Sequence, residues 1–121
     1  MATVNIVNVT SILPFNIFGS VTTSAVDVID VPADKLYKVN TIIISNIDGT
    51  NSANISIGVS RNNGSTYYNL ASTVAVPADS SLVVIDKNSS IYLDETDLLR
   101  VTASANSDLE YIISGEILDD A

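Results

Sequence analysis

The residue types that do chemistry are mostly missing from this chain. It has no histidine and no cysteine. Without histidine, the usual general base and the commonest zinc or iron ligand are gone. Without either residue, no Ser–His or Cys–His nucleophile pair can form within the chain. Carboxylates, tyrosines and three lysines (Lys35, Lys38 and Lys87) remain. That inventory nominates no reaction, so the chain is read as a non-enzyme. A disulfide framework and a thiolate metal site are excluded as well.

The remaining candidates are binding groups. Asp94-Glu95-Thr96-Asp97 is the densest acidic cluster. Calcium takes several carboxylate and carbonyl oxygens, and Asp94, Glu95 and Asp97 would supply them. The cluster lacks the spacing of an EF-hand loop, and a solvated turn between Leu93 and Leu98 is the simpler reading. No other cofactor is expected. Tyr67-Tyr68 has the chemistry of a sugar-stacking platform. Adjacent strand residues point to opposite faces, so one tyrosine is expected in the core and one on the surface. Arg61 and Arg100 are the only arginines. They are interface candidates, with surface ion pairing as the simpler role. Asp119-Asp120-Ala121 reads as a solvated tail, or else as an acidic plug for a basic socket.

The largest apolar signal lies near the N-terminus. Val4, Ile6, Val9, Leu13, Phe15 and Phe18 lead an apolar stretch over residues 4–18. It is read either as the first strand of the core or as an arm that adds to a partner's sheet edge. The domain expectation follows: residues 1–18 as arm or first strand, and 19–121 as a single sandwich domain.

The elements that would position these groups read as strands. The chain has 121 residues, enough for one domain with its own core, and 46% are hydrophobic. Val, Ile and Thr recur with period two. Strands are expected over residues 3–10, 20–31, 36–47, 55–60, 67–76, 82–87, 91–93, 99–105 and 111–118. Pro14 bars a central strand at residues 12–18. Ile42-Ile43-Ile44 is apolar on both faces, which marks a central strand. Asn63-Gly64 is the best hairpin signal. Val31-Pro32-Ala33-Asp34 recurs as Val76-Pro77-Ala78-Asp79, read as two turns using the same chemistry.

With 14 acidic and 5 basic residues the formal net charge is −9. Nucleic acid and anionic membrane are therefore not expected partners. No apolar run approaches a transmembrane length. Met1-Ala2-Thr3-Val4-Asn5 lacks the positive start of a signal peptide, so synthesis in a cytoplasm without export is expected. Asn8, Asn54, Asn63 and Asn88 open glycosylation-type sequences, read as chance in a polar chain.

Two stretches carry a family resemblance. Val39-Asn40-Thr41-Ile42-Ile43-Ile44-Ser45-Asn46 resembles small virion proteins of tailed bacteriophages, cyanophages especially. So does the block Ile91-Tyr92-Leu93-Asp94-Glu95-Thr96-Asp97-Leu98-Leu99-Arg100-Val101-Thr102-Ala103-Ser104-Ala105. Residues 26–118 match that group's layout. Eight or nine strands at this spacing, joined by polar turns, suggest an all-β antiparallel sandwich, and the resemblance implies one of jelly-roll or immunoglobulin-like type, jelly-roll foremost. It implies a virion structural part, foremost a capsid decoration (cement) protein that binds the major capsid protein as a homo-oligomer such as a trimer. A head–tail, neck or tail-fibre adaptor is the runner-up. A carbohydrate-binding module or adhesin is the alternative from another class. The absence of tryptophan and histidine departs from typical adhesion tips.

Overall fold

β-Branched residues alternating with Ser, Thr and Asn build nine strands, described here in a computed structural model over residues 4–61 and 64–120. They are β1 (Ser11–Val21), β2 (Val26–Asp30), β3 (Leu36–Asn46), β4 (Ala53–Ser60), β5 (Tyr67–Val76), β6 (Ser81–Ile85), β7 (Ile91–Leu93), β8 (Leu98–Ala103) and β9 (Leu109–Asp119). The first sheet runs β1-β9-β3-β6, with β7 also paired to β3. The second runs β2-β8-β4-β5. All pairings are antiparallel. β6 pairs with Ile42–Ser45 and β7 with Tyr37–Val39, so together they fill one strand position beside β3. Two interlocked four-position sheets in this order form a jelly roll.

The inner faces share one core. The first sheet supplies Val21, Val39, Ile42, Ile44, Leu109 and Ile113, and the second Ile55, Ile57, Val76, Leu99 and Val101. Fully burying an Ile or Leu stabilises by about 1.5–3 kcal/mol relative to exposure. Polar residues are buried too, among them Ser60, Glu95, Asp97 and, at the end of β3, Asn46. Its Nδ2 donates to the Asn51 and Val76 carbonyls, and its Oδ1 accepts from the Asp48 amide. A buried amide satisfied in this way ties the end of β3 to β5.

β3 carries a bulge between Val39 and Thr41, opposite Gly115. The bulge lets both Val39 and Ile42 face the core. It also brings the Lys38 carbonyl close: a Cβ on residue 115 would sit 1.9 Å from that oxygen, so only glycine fits.

Two expected strands are redrawn. Residue 3 lies outside the described residues, and residues 4–10 do not form a strand. Asn5 accepts the Val7 amide through its side chain and starts a short 3-10 helix, Ile6–Asn8. An Asx turn of this kind gives the backbone a competing partner. The strand expected from residue 20 begins only at Val26, because β1 runs past residue 18 to Val21. The Asn63-Gly64 signal lies partly outside the described residues. The repeated Val-Pro-Ala-Asp turns share one geometry, with Asp34 at φ 65° and Asp79 at φ 56°.

Candidate functional site

The outer face of the first sheet carries a row that the strand register assembles. Phe18 pairs with Ile112, Ile112 with Ile43, and Ile43 with Val83. Phe18 is 71% exposed, Val83 55% and Ile112 46%. Strands lie about 4.8 Å apart, so the row spans roughly 14 Å across all four strand positions. Ser20, Glu110, Ser45 and Ser81 flank it on one side, and Asn16, Ser114 and Thr41 on the other. Beside Phe18 and Ile112 the small residues Gly19, Ser20 and Ser45, with Glu110, leave a depression of ≈ 330 Å³. An apolar stripe with a mostly uncharged polar rim is the anatomy of a protein-docking surface.

The corresponding row on the second sheet is polar. Asp27 pairs with Arg100, Arg100 with Gly58, and Gly58 with Asn69. Gly58 leaves room for the Tyr67 ring, and the Arg100 guanidinium stacks 3.9 Å from its centroid. Tyr67 donates its hydroxyl to Asp27 Oδ1 at 2.8 Å, and Arg100 Nε donates to the same oxygen at 3.2 Å. Desolvation foremost, then the hydrogen bond and charge of Asp27, push the Tyr67 pKa up. This face satisfies itself.

The candidate residues disperse. Val4 is buried with Leu36 and Leu118, and Val9 packs against them, so the N-terminal segment covers that corner of the molecule. Ile6 and Leu13 stay exposed. Phe15 faces inward, its ring 5.1 Å from that of Tyr37. Of the apolar candidates, Phe18 alone joins the row. Its partners Ile112, Ile43 and Val83 have no sequence signature, because register alone makes them neighbours. Arg100 belongs to the Tyr67 cluster, and Arg61 lies 3.7 Å from Asp97.

The tyrosine expectation is corrected in one respect. Tyr68 is exposed, but Tyr67 is half-buried on the outer face of the second sheet rather than in the core, because Gly58 and Arg100 give its ring a seat there. Tyr68 sits at a cleft of ≈ 290 Å³ with Arg61, Asp97, Leu70 and Ile91.

The acidic cluster works as a turn clamp. Glu95 accepts the Asp34 amide at 2.8 Å, Asp97 accepts the Asp94 amide, and Asp94 accepts the Glu95 amide. Among the described residues no group of three or more acidic side chains is placed to hold a metal ion. Near the C-terminus Asp119 pairs with Lys35, and Asp120 accepts the Asn5 amide. Among the described residues no helix is long and apolar enough to cross a membrane.

No protein-family model matches the chain, and no curated protein does. Solved structures do. A protein of the Bacillus endospore appendages, described as disulfide-linked pili, superimposes with a TM-score of 0.52 at 14% identity, over 92% of this chain and 88% of that one. A protein of the acid-stable capsid of Helicobacter pylori bacteriophage KHP30 does so with a TM-score of 0.51 at 7% identity, over 93% and 91%. What they share is the fold. At these identities it is a likeness of architecture.

Proposed function

We propose that the chain is a non-enzymatic structural protein of a phage virion, a decoration (cement) subunit that binds the major capsid protein and stabilises the lattice as a homo-oligomer. The observation that carries this reading is the Phe18–Ile112–Ile43–Val83 row, an exposed apolar stripe across one whole sheet of an acidic protein. Such a stripe docks by area against a larger body. The shared fold includes a phage capsid protein, which supports the class. The appendage neighbour is described as building disulfide-linked pili, whereas this chain has no cysteine to supply such a link. The net charge of −9 suits docking on basic capsid patches and should make binding weaken with salt.

The test is mass spectrometry of purified virions from the source of the sequence, followed by stripping and add-back. The chain should be present at lattice copy number, and its return should raise the temperature at which capsids open. A copy number of one ring per virion would move the reading to a head–tail or tail adaptor. Absence from virions would sink it.

One observation favours a carbohydrate-binding reading as the second choice. Tyr68 is 70% exposed beside the Arg61–Asp97 pair. A ring for stacking next to hydrogen-bonding groups suits a sugar. Tyr68→Ala should then abolish binding on a glycan array.

A further inference from the structure

Sheet edges expose unpaired backbone groups, and proteins guard them with short strands, charges, prolines, bulges or breaks. Three of the four edges here are guarded. β2 has five residues, carries Asp27 and Asp30, and is bulged between Asp27 and Ile29. β5 slips register twice against β4, and its Thr73 adopts φ 53°. The β6–β7 edge is broken by a 3-10 helix, Lys87–Ser89, capped by Asp86. β1 is different. It runs eleven residues in unbroken register with β9, and none of Ser11–Val21 is charged. Its one guard is Pro14, which withholds a single N–H and leaves the rest of the strand open. Among the described residues no strand pairs with its other side.

We infer that β1 pairs antiparallel with β1 of a second copy across a twofold axis at Asn16, joining two first sheets into one. This gives the homo-oligomer of the proposed function its contact and rests on that reading. Two features single out a second copy as the occupant. The first is charge: a chain at −9 repels its own kind except through uncharged surface, and β1 is such a surface. The second is fit. Centring the twofold on Asn16 uses the whole strand, with Ser11 opposite the second copy's Val21. Ile12 then falls opposite Ser20 and Leu13 opposite Gly19. Ile12 is 57% exposed and Leu13 59%, while Ser20 and Gly19 line the ≈ 330 Å³ depression. Ile12 and Ser20 share the outer face, so bulk meets a gap there at each end of the contact. Leu13 lies on the opposite face, where the Tyr111 ring already covers Gly19. Both apolar rows then lie on one face, so a dimer docks on a lattice with two weak stripes instead of one.

Light scattering and sedimentation of the full chain test this. The wild type should form a dimer with a dissociation constant on the order of 10 μM. Asn16→Lys and Asn16→Asp each put like charges opposite one another at the axis, and each should weaken the dimer at least roughly tenfold while keeping the wild-type circular dichroism. An equimolar mixture of the two should recover a mixed dimer, which a misfolded variant could not do. Asn88→Lys, exposed in the 3-10 helix of the far β6–β7 edge, should dimerise as the wild type does. A monomeric wild type at about 1 mM, a closed trimer, an Asn16→Lys dimer of undiminished strength, or a mixture that stays monomeric would each overturn the inference. Self-association reads the contact and virion binding reads the function, so the two can fail separately.

Discussion

The two sheets face the same core and yet present opposite outer surfaces. Each carries one row across four strand positions. On the first sheet the row is Phe18, Ile112, Ile43 and Val83. On the second it is Asp27, Arg100, Gly58 and Asn69, with the Tyr67 ring laid over the glycine. Packing between the sheets constrains only the inward residues. The outward ones are free to encode what the molecule touches. The second sheet spends its outward groups on each other, through one oxygen of Asp27 that accepts from both Tyr67 and Arg100. The first sheet leaves Phe18, Ile112 and Val83 open to solvent. That asymmetry is the physical content of the docking reading.

The comparison can be broken first at its glycines. Gly115→Ala would drive a Cβ to within 1.9 Å of the Lys38 carbonyl oxygen, between two central strands. Backbone cannot yield as a side chain does, so a loss of about 3 kcal/mol or more is expected in urea unfolding. Gly58→Ala meets Asn69 Oδ1 and the Tyr67 Cβ at 3.4 Å and the Tyr67 Cδ2 at 3.5 Å, side-chain contacts of ordinary length, and should cost less than about 1 kcal/mol. Equal losses would mean that the two sheets are packed equally tightly at these glycines and that the Lys38 carbonyl sets no special limit at Gly115.

The outer faces separate next. Phe18→Ser should leave stability within about 0.5 kcal/mol. It should weaken capsid binding roughly tenfold or more, as for a central apolar anchor. Tyr67→Phe should do the reverse. It removes one hydrogen bond to Asp27 on an exposed face, costing about 0.5 kcal/mol, and leaves capsid binding unchanged. If Tyr67→Phe weakened docking and Phe18→Ser did not, the roles of the two faces would be exchanged.

The smallest effect concerns charge. Backbone hydrogen bonds from Thr50, then Asn51, hold the Asp48 carboxyl below its ordinary 3.8. Desolvation, then the Asp48 charge, holds Asp108 above 3.8. A lowered carboxyl supports the fold above its unfolded value, and that support is lost as pH falls through the lower folded value. A raised carboxyl supports the fold while protonated, and that support is lost as pH rises through the raised value. Asp108 therefore opposes the fold at neutral pH. Asp108→Asn should raise the thermal midpoint slightly at pH 7, with the gain vanishing below 3.8. A gain that persisted in acid would show that ionisation of Asp108 is not the cause.

Much of the architecture was legible from local pattern. β5 and β7 fall where the alternation places them, at Tyr67–Val76 and Ile91–Leu93, and Ile42-Ile43-Ile44 does mark a central strand. Residues 4–10 were misread because apolar content resembled a strand, while one Asn5 side chain diverted the backbone into a turn. Tyr67 was half legible. Period two separated it from Tyr68, but its seat depends on Gly58 and Arg100, which lie on β4 and β8.

The site itself divides the same way. Sequence alone determined that the molecule is all-β, acidic and without His or Cys, because composition and period two are local properties. It also exposed Phe18 as part of an apolar stretch. Only the tertiary structure decided that Phe18 stands in line with Ile112, Ile43 and Val83, residues up to 94 positions from it along the chain. Register does this. A shift of one residue in any strand would turn its side chain to the core, and no local pattern states which residues two distant strands will set side by side.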